Sequence, residues 1–588
     1  MYSRRELLKL LGAGSLLGAL PTSALAEVAS KSPNLYDLPP QGNVRLVHLT
    51  DTHAQLQPVH YREPNVNIGV GPARNQPPHL VGKYLLEHFG VKPDTRWAHG
   101  YSYLDYAGAA RQYGRMGGFA YLKTVIDKLR DQAGHGNSLL LDGGDLWQGS
   151  ATALWTQGQD MVEVSNQLGV EIMTGHWEFT YGQKRLRHNV DAFQGEFLAQ
   201  NVFLTQTAAF NGAKAYDQAS GRVFKPYTVK TVGGRRIAVI GQAFPYVPIA
   251  HPARFTPDWT FGIHERRLQN LIDHIKDKEK PNAVVLLSHN GMDVDLKLAS
   301  RVSGLDLILG GHTHDAVPKP TVVSNKGGKT LVTNAGSNGK FVAVVDLQVG
   351  SSGLTDFHYT LLPVYEALVK PDRDVAQAIA RIRKPHEAKL GRKIAVADQL
   401  LWRRGNFNGS MDQLICDAQN AVLGSQIALS PGFRWGTTVL PGQPITFEDV
   451  MAETAITYPN TYVREMSGSQ LKSVMEDVCD NLFNKNPYYQ QGGDMVRIAG
   501  MRYACDPTAS RGKRITAMEL DSGEAIDPDK KYKVSGWAAV KSVPKGKPIW
   551  DIVAEYLGQQ GHVKVIKVNE PKLIGVQGNH GVADYRAL

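Results

Sequence analysis

Aspartate and histidine residues recur in short groups along the N-terminal half of the sequence. Carboxylate oxygens and imidazole nitrogens bind Mn, Fe or Zn, and one carboxylate can bridge two cations about 3.5–4 Å apart. The groups contain no cysteine, so copper or iron–sulfur chemistry is not favoured. The pattern predicts a binuclear metal site whose ligands are Asp51, His53, Asp145, His176, His289, His312 and His314.

The spacing of these residues suggests how two cations would share them. Asp51 and His53 are two positions apart, so both can reach one cation only where a strand stops and the chain turns. Asp145 is the natural bridging carboxylate, and His314 would complete the first set of ligands. The second cation is expected to take His176, His289 and His312.

A structural role remains the competing explanation for any one of these groups. An isolated Asp-x-His or Gly-His-x-His is common in proteins without metals. Here the groups follow one another in order, each after an apolar run and a turn glycine. That combination favours a shared metal site over several unrelated structural roles.

The sequence around these groups alternates short apolar runs with amphipathic stretches, which indicates an α/β domain. Open α/β sheets place their ligand sites just beyond the ends of strands, and Asp51, Asp145, His289 and His312 occupy such positions. The clearest predicted strands are Arg45–Thr50, Ser138–Asp142, Arg236–Gly241, Ala283–Ser288, Leu305–Leu309 and Phe341–Val349.

The chain of 588 residues is too long for one hydrophobic core, so we expect at least two domains. We predict a metal-binding domain over residues 27–365, a linker helix within 366–393 and a C-terminal α/β domain for substrate binding over 394–588. The Pro-, Asn-, His- and Tyr-rich segment between His53 and Gly117 is predicted to be a long functional loop.

The N-terminus has the features of an export signal. Arg4 and Arg5 precede a Gly- and Ala-rich apolar stretch that ends in Ala24-Leu25-Ala26, a typical cleavage site. We interpret residues 1–26 as a twin-arginine signal, which exports folded proteins to the periplasm. No later apolar run approaches the roughly 20 residues that span a bilayer, so no membrane anchor is expected.

Composition excludes some classes of protein. The three cysteines, Cys416, Cys479 and Cys505, allow at most one disulfide, and their pairing stays open. The formal net charge is +10, yet Lys and Arg are spread along the chain without a nucleic-acid-binding motif. We therefore expect no nucleic-acid partner and favour a small anionic substrate or an acidic partner protein.

At these motifs the sequence resembles the 5′-nucleotidase branch of the calcineurin-like metallophosphoesterases. That resemblance implies an N-terminal four-layer β-sandwich flanked by helices, a C-terminal 5′-nucleotidase-like α/β domain and a two-metal hydrolytic site. The matching motifs are Leu49-Thr50-Asp51-Thr52-His53, Gly143-Gly144-Asp145 with Gln148-Gly149-Ser150, Ser288-His289, and Gly310-Gly311-His312-Thr313-His314.

Two motifs depart from that branch. The branch carries Gly-Asn-His-Glu-Phe, whose Asn binds metal and whose His stabilises the leaving group, whereas this chain has His176 and Trp177 at those positions. Indole cannot act as an acid at neutral pH, so Trp177 either suits a different leaving group or simply packs beneath the ligand loop. The nucleotidases carry Asn-Gly-Gly-x-Arg in the second domain, and this chain has a different turn that contains Arg434. The Arg434 side chain either binds a sulfonate or phosphate group or stacks in the core.

Within the branch, the sequence with these two departures resembles the SoxB thiosulfohydrolases of bacterial sulfur oxidation. That similarity implies an S-sulfosulfanyl-L-cysteine sulfohydrolase with two Mn²⁺ ions, although Zn or Fe also fits the ligands. The implied partner is the SoxYZ carrier, whose C-terminal tail bears a cysteine S-thiosulfonate that is hydrolysed to sulfate. Asp145, Trp177 and Arg434 would form the catalytic set. A channel for the tail is expected along the 54–116 insertion and the Arg434 loop, with Arg434, Tyr61, Arg62, Asn65 and Tyr489 binding substrate.

Two other functions stay open at this point. A periplasmic 5′-nucleotidase or cyclic-nucleotide phosphodiesterase would use the same metals, with Phe433 or Trp435 and Tyr489 sandwiching a base. It would also need the histidine of the Gly-Asn-His-Glu-Phe motif, which is the third motif in chain order. At that position the sequence has Trp177. A metal-binding module that only docks a partner would be favoured by missing ligands, and the sequence lacks none of them.

Overall fold

The computed structural model describes residues 35–582. The expected export signal at residues 1–26 lies outside this range. Among the described residues, no helix combines the length and the apolar character needed to cross a membrane.

The first domain is built on two six-stranded sheets. In sheet order, one contains β14-β13-β1-β2-β3-β4 and the other β11-β12-β10-β9-β7-β6, while β5 and β8 form a small separate pair. The strands are β1 Val44–Leu49, β2 Ser138–Asp142, β3 Ile172–Met173, β4 Glu196–Phe197, β5 Phe203–Leu204, β6 Tyr227–Val232, β7 Arg235–Gln242, β8 Trp259–Thr260, β9 Ala283–Ser288, β10 Leu307–Gly310, β11 Thr321–Asn325, β12 Gly328–Asn334, β13 Phe341–Gly350 and β14 Gly353–Pro363.

The two sheets pack face to face with helices on their outer faces. Leu46 and Ile172 of the first sheet share a buried apolar layer with Val285 of the second. Because each sheet also packs helices on its other face, the central strands are buried on both sides and consist of nearly continuous apolar residues. This four-layer α/β/β/α arrangement confirms the predicted fold class.

The helices of the first domain connect the strands and cover the sheets. Ile126 belongs to the cluster on the first sheet, and Leu268 and Leu298 to the cluster on the second. The helices are α1 Gly82–Phe89, α2 Arg96–Tyr101, α3 Tyr106–Tyr113, α4 Phe119–Ala133, α5 Ala151–Thr156, α6 Gln159–Leu168, α7 Gln183–Ala192, α8 Gln206–Phe210, α9 Val247–Ala250, α10 Glu265–Lys278 and α11 Met292–Arg301.

All six predicted strands of this domain are present. Ser138–Asp142 and Ala283–Ser288 have the predicted bounds, and the other four differ by one or two residues at an end. The parallel pairs β1–β2, β7–β9 and β9–β10 bring their carboxyl ends to one edge, and Ser288 lies beside both Gln242 and Gly310. The residues that follow these strands therefore meet at one place.

The segment between His53 and Gly117 is not the loop that its composition predicted. It contains α1, α2 and α3, and the Oγ1 atom of Thr95 caps α2 by accepting a hydrogen bond from the Ala98 amide. Leu86 and Tyr101 of these helices pack against Phe341 of the first sheet. The prediction was wrong because short helices of one to two turns gain their stability from such packing and leave a weak sequence pattern.

A linker helix and a second α/β domain follow. Helix α12 spans Arg373–Arg383, where Asp372 accepts hydrogen bonds from the first amides, and the short helix α13 spans Glu387–Leu390. The second domain has β15 Lys393–Ala397, α14 Ser410–Leu423, β16 Ile427–Gly432, β17 Pro444–Thr446, α15 Phe447–Thr454, β18 Tyr462–Ser467, α16 Gly468–Phe483, β19 Asp494–Ala499, β20 Met501–Cys505, β21 Ile515–Leu520, β22 Lys531–Gly536, α17 Ile549–Gln560, β23 His562–Val563 and β24 Lys572–Leu573.

The sheet β18-β22-β16-β19 of the second domain faces the metal-binding domain. Hydrogen bonds tie the two domains around the strand ends of the first. Gln148 Nε2 donates to the Ala455 carbonyl at 2.8 Å, and Asn338 Nδ2 donates to the Gly436 carbonyl at 2.8 Å. The loop after β16 is thereby held over the predicted metal site.

The three cysteines are buried in the second domain. The Sγ atoms of Cys479 and Cys505 lie 3.6 Å apart, while Cys416 belongs to a separate apolar cluster. The only close cysteine pair among residues 35–582 therefore lies between α16, which contains Cys479, and β20, which contains Cys505, in the core of the second domain.

Candidate metal centre

The seven predicted ligands lie together in the structure. Six of them follow the strands β1, β2, β9 and β10, and His176 follows the short strand β3. Five occupy the left-handed backbone region, which is costly for residues other than glycine. Their φ angles are 52° for Asp51, 47° for His53, 58° for Asp145, 73° for His312 and 58° for His314. The left-handed turn lets two residues at one strand end point to one side.

One group consists of Asp51, His53, Asp145 and His314, whose ligand atoms all lie within 4.8 Å of one another. The Nε2 atoms of His53 and His314 are 3.1 Å apart, and Asp51 Oδ1 is 3.3 Å from His314 Nε2. Two imidazole nitrogens aimed at one point beside two carboxylates form a suitable ligand set for a divalent cation.

A second group consists of Asp145, His176, His289 and His312, again within 4.8 Å. Asp145 Oδ2 lies 3.1 Å from His176 Nδ1 and 3.1 Å from His289 Nε2. The same oxygen is 3.5 Å from His53 Nε2 of the first group. Asp145 is thus the one residue shared by both groups, which is the position of a bridging carboxylate.

Neighbouring backbone groups orient the imidazole rings. His289 Nδ1 is 2.6 Å from the Gly143 carbonyl, and His53 Nδ1 is 3.2 Å from the Gln148 carbonyl. Each carbonyl accepts the Nδ1 proton, so the Nε2 lone pair is directed at the cation position. The rings of His289 and His53 are therefore held in the tautomer that metal binding requires.

Glu178 joins two of the ligand loops. Its carboxylate accepts hydrogen bonds from the amides of Leu146 and His176, at 2.7 and 2.8 Å, and the Trp177 amide donates to Asp145 Oδ1 at 2.8 Å. The loop after β3 is thereby fixed to the loop after β2. Glu178 belongs to the third motif in the sequence, and its spacing from His176 was the available signal for this role.

Burial and charge set the protonation of the ligands. Burial lowers the pKa of the His53 imidazole to about 4, which leaves this ring neutral. Burial opposes the charge of Asp145, but His176 and His289 outweigh that effect and hold the pKa of the carboxyl well below its usual range. A neutral imidazole and an ionised carboxylate are the forms that bind metal.

Trp177 is buried and lies beside the metal groups. Its ring centroid is 4.8 Å from that of Trp435 and 5.3 Å from that of Phe433, both in edge-to-face contact. Phe433 and Trp435 stack on each other at 4.2 Å, and Trp435 also stacks on His53 at 4.9 Å. An apolar aromatic surface therefore stands where the Gly-Asn-His-Glu-Phe motif of the branch carries its histidine.

Arg434 is held with one nitrogen unused. Its Nε is 3.3 Å from Asp494 Oδ1, and its Nη2 donates to the Gly493 carbonyl at 2.8 Å. Its Nη1 is buried and has no hydrogen-bond partner among residues 35–582. Phe433 and Trp435 stack on each other and not on the guanidinium. The side chain is thus fixed with a donor left for an anion.

A cavity of about 520 Å³ opens from the metal groups into the space between the domains. The first domain contributes five of the seven predicted ligands, Phe244 and the segment 249–251 to its wall. The second domain contributes the Phe433–Trp435 loop, residues of β18 and α16, and the segment 537–542. Exposed Arg464 and Lys541 line this outer part of the cavity, together with the exposed carboxylate of Asp477.

Four of the predicted substrate contacts do not line this cavity. The buried Tyr61 hydroxyl donates to the Arg434 carbonyl, and Arg62 stacks on Trp402 at 4.0 Å. Asn65 lies beside Gly405, and Tyr489 is 61% exposed outside the cavity. The expected wall along residues 54–116 does not line this cavity, since α1 and α2 pack on the first sheet and α3 packs against Leu440 of the second domain.

Several residues that do line the cavity were not predicted from the sequence. Phe244 lies two positions after the end of β7, so the rule of strand ends could have indicated it. His251, Trp537 and Arg464 belong to segments without a recognisable motif. Only the fold brings these segments next to the metal groups.

Comparison with known proteins places the chain in a family. Residues 44–316 match the family model for calcineurin-like phosphoesterases, and residues 393–541 match that for the 5′-nucleotidase C-terminal domain. A solved structure of Thermus thermophilus sulfate thiohydrolase SoxB in complex with glycerol is 36% identical, with a TM-score of 0.84, and the match covers 92% of this chain and 98% of that one.

More distant relatives are nucleotide hydrolases. The trifunctional nucleotide phosphoesterase protein YfkN of Bacillus subtilis is 25% identical over 458 residues, which cover 70% of this chain but only 30% of that protein. The 5′-nucleotidase of Rattus norvegicus is 25% identical over 466 residues, 71% of this chain and 76% of that protein. Together with the two ligand groups, these matches identify a hydrolase with a binuclear metal site. The chain belongs to the SoxB family, within the 5′-nucleotidase branch of the calcineurin-like metallophosphoesterases.

Proposed function

We propose that this protein hydrolyses a cysteine S-thiosulfonate on the tail of a SoxYZ carrier and releases sulfate. The proposal rests on one observation. The two groups of metal ligands are complete, and the aromatic surface of Trp177, Phe433 and Trp435 lies beside them in place of the branch's histidine. The 36% identity to a sulfate thiohydrolase supports it. In the reaction, water adds to the sulfonate sulfur, the bond to the neighbouring sulfur breaks, and that sulfur leaves on the carrier as a persulfide anion.

The missing histidine in the third motif fits this leaving group. A persulfide anion is far less basic than the alkoxide that leaves from a phosphate ester, so it needs little protonation. General acid catalysis contributes about 10²–10⁴-fold where the leaving group does need a proton. Trp177 offers only an indole N–H, and the proposed chemistry tolerates that loss.

Two cations bound by the seven ligands would supply Lewis acidity and make water nucleophilic at neutral pH. We propose that both are Mn²⁺, as the family resemblance implies, since the nitrogen and oxygen ligands accept Mn, Fe or Zn. Asp145, shared by both groups, would set the distance between the cations. Its Oδ1 accepts the Trp177 amide hydrogen bond, which leaves Oδ2 directed at both histidine sets.

Arg434 would hold the sulfonate. Arg434 lines the cavity, its Nη1 donor is unused, and the Asp494 and Gly493 contacts prevent the side chain from turning away. A preorganised donor facing developing charge stabilises a transition state without reorganisation at the moment of reaction. The carrier tail would reach this point through the 520 Å³ cavity, passing the basic residues Arg464 and Lys541.

The rival nucleotidase function is less well served by this cavity. Phe433 and Trp435 stack on each other at 4.2 Å, so a base cannot lie between them without moving one ring. Tyr489, the other predicted partner of a base, does not line the cavity. Export by the twin-arginine route to the periplasm remains part of the proposal and rests on Arg4, Arg5 and the stretch after them.

The test is an assay of the purified, metal-loaded enzyme on two substrates. Sulfate release from an S-thiosulfonated SoxYZ carrier is measured beside phosphate release from AMP, with metal analysis of the same preparation. We expect rapid sulfate release, negligible AMP hydrolysis and two Mn per chain. Rapid AMP turnover without sulfate release would refute the proposal in favour of a nucleotidase.

A further inference from the structure

His251 lies in the cavity wall directly after the short helix α9, and none of the sequence motifs includes it. Its amide donates to the Val247 carbonyl at 3.0 Å, which fixes the backbone of this residue. The residue is only 2% exposed, so its ring is enclosed by protein except where it faces the cavity.

The His251 ring packs between the metal groups and the aromatic surface. Its centroid is 4.5 Å from the Trp177 ring, in edge-to-face contact, and 5.0 Å from the His176 ring. Neither ring nitrogen has a hydrogen-bond partner among the described residues. A buried polar group without a partner costs about 1–3 kcal/mol, and a ligand that accepts a hydrogen bond from this ring would remove that cost.

Two structural roles for His251 do not fit these contacts. It belongs to neither group of metal-binding residues. It also does not orient the ligand His176, because no hydrogen bond joins the two rings, and His176 Nδ1 already faces Asp145 and His289. The His251 residue also borders the cavity in which a substrate would lie.

We propose that His251 is a substrate-binding residue that donates a ring N–H hydrogen bond to the part of the substrate lying over Trp177. This inference rests on the proposed function, in which that part is the departing sulfur of the thiosulfonate. A neutral imidazole carries one N–H, and the tautomer with the proton on the nitrogen nearer the substrate provides the donor. The hydrogen bond stabilises the negative charge that the sulfur gains as its bond to the sulfonate breaks, and no proton needs to be transferred.

His251 thereby supplies a donor next to the position at which the third motif lost its histidine. Trp177 occupies that position, and the edge-to-face contact holds the His251 ring against the indole. Trp177 would act on the substrate indirectly, as a flat support that sets the direction of the His251 ring.

The test compares His251→Phe, which keeps a ring of similar shape but no donor, with His251→Gln, which keeps an N–H donor. The matched control is His99→Phe, because His99 is also buried among aromatic rings but lies in α2, outside the cavity. For each protein, kcat and KM for sulfate release and for AMP hydrolysis are measured together with metal content and thermal stability.

We expect His251→Phe to lower kcat/KM for sulfate release by about 10-fold or more with two metals retained, as loss of one hydrogen bond to a charged group predicts. His251→Gln should stay within about threefold of the wild type, and His99→Phe within about twofold, whatever its stability. Wild-type rates in His251→Phe would refute the inference, as would loss of metal in both His251 variants. If the wild type hydrolyses AMP and releases no sulfate, the proposed function fails, and the same variant ratios on AMP still decide the role of His251.

Discussion

The seven metal-binding residues and the cavity wall above them are built in opposite ways. The ligands follow strand ends of one domain, and the strand register fixes their separations. The wall combines the Phe433–Trp435 loop, α16, the segment 537–542 and residues 249–251, which come from both domains. A site made from the strand ends of one two-sheet domain keeps its chemistry constant, whereas a wall made from separate segments can change its substrate without disturbing the metals.

Replacement of Asp145 by Asn should have the largest effect, because this residue is shared by both ligand groups. The substitution keeps the shape but removes the charge that two cations share. We expect loss of at least one metal and a fall in sulfate release of more than about 100-fold, the upper range for groups that merely orient a ligand. Metal analysis and the sulfate assay measure both outcomes.

Asp160→Asn is the matched control for this change. Asp160 is also a buried aspartate, but its carboxylate accepts a hydrogen bond from Thr156 at 2.8 Å and lies outside both ligand groups. It should keep two metals per chain. Full metal occupancy in Asp145→Asn would contradict the bridging position of Asp145.

Replacement of Arg434 by Lys should affect the wall without affecting the metals. Lysine keeps the charge but cannot make the Asp494 and Gly493 contacts and still present a donor to the cavity. We expect kcat/KM for sulfate release to fall about 10²-fold, as for loss of an oxyanion donor, with two metals retained.

Arg62→Lys is the control, since Arg62 stacks on Trp402 outside the cavity. It should change stability more than rate. If Arg434→Lys lost its metals, the division between the two regions would be wrong, because the wall would then be needed to assemble the ligand groups.

Replacement of Trp177 by His tests the region where the ligands and the wall meet. The change restores the residue type found in the third motif of the nucleotidase branch. We expect AMP hydrolysis to rise by about 10-fold or more, within the range of general acid catalysis, while sulfate release falls by less than about 10-fold. Both rates are measured on one metal-loaded preparation.

Trp402→His controls for the loss of a large ring outside the cavity and should leave the ratio of the two rates unchanged. A collapse of sulfate release in Trp177→His with metals retained would show that the indole itself contacts the substrate. That result would contradict the explanation based on the leaving group.

Replacement of Glu453, which supports the cavity wall, should have the smallest effect on sulfate release and should act on stability. Glu453 accepts the Thr437 amide hydrogen bond at 2.7 Å and lies 3.3 Å from the Arg403 Nε atom. Burial raises the pKa of Glu453 from 4.5 to about 7, against the opposing influence of Arg403. Between these values the unfolded chain is ionised and the folded protein keeps the proton, so stability falls as the pH rises from 4.5 to about 7 and levels off above 7.

In Glu453→Gln this contribution is absent, so the difference in unfolding free energy between wild type and variant should change by about 1.4 kcal/mol per pH unit at most within this window. Denaturant unfolding of both proteins at several pH values between 4.5 and 7 measures it. A difference that does not vary with pH would mean that Glu453 is ionised in the folded protein.

The sequence was most informative where one strand fixes the neighbours of a residue. The runs before Asp51 and His289 predicted strands, and the residues after them do meet in space. Tyr61 and Arg62 were predicted to bind substrate, and they lie outside the cavity that opens from the metal groups. Their positions depend on packing against Trp402 and the Arg434 loop, hundreds of residues away in the chain, and no local pattern contains that information.

His251 is a residue of interest that the sequence could not have indicated. Its neighbours in sequence are ordinary, and its interest arises only from the contact with Trp177 and from the unpartnered ring nitrogens. A lone histidine in a Pro- and Ala-containing segment is usually unremarked, so tertiary structure was needed to single it out.

The left-handed backbone at Asp51, His53, Asp145, His312 and His314 restricts how such a site can decay during evolution. Branched side chains are strongly disfavoured there, whereas glycine and asparagine fit with little strain. A descendant that abandoned hydrolysis would drift first to those two residue types and keep its loop shapes. Inactive members of the lineage should therefore be recognisable by Gly or Asn at these five positions within an otherwise intact scaffold.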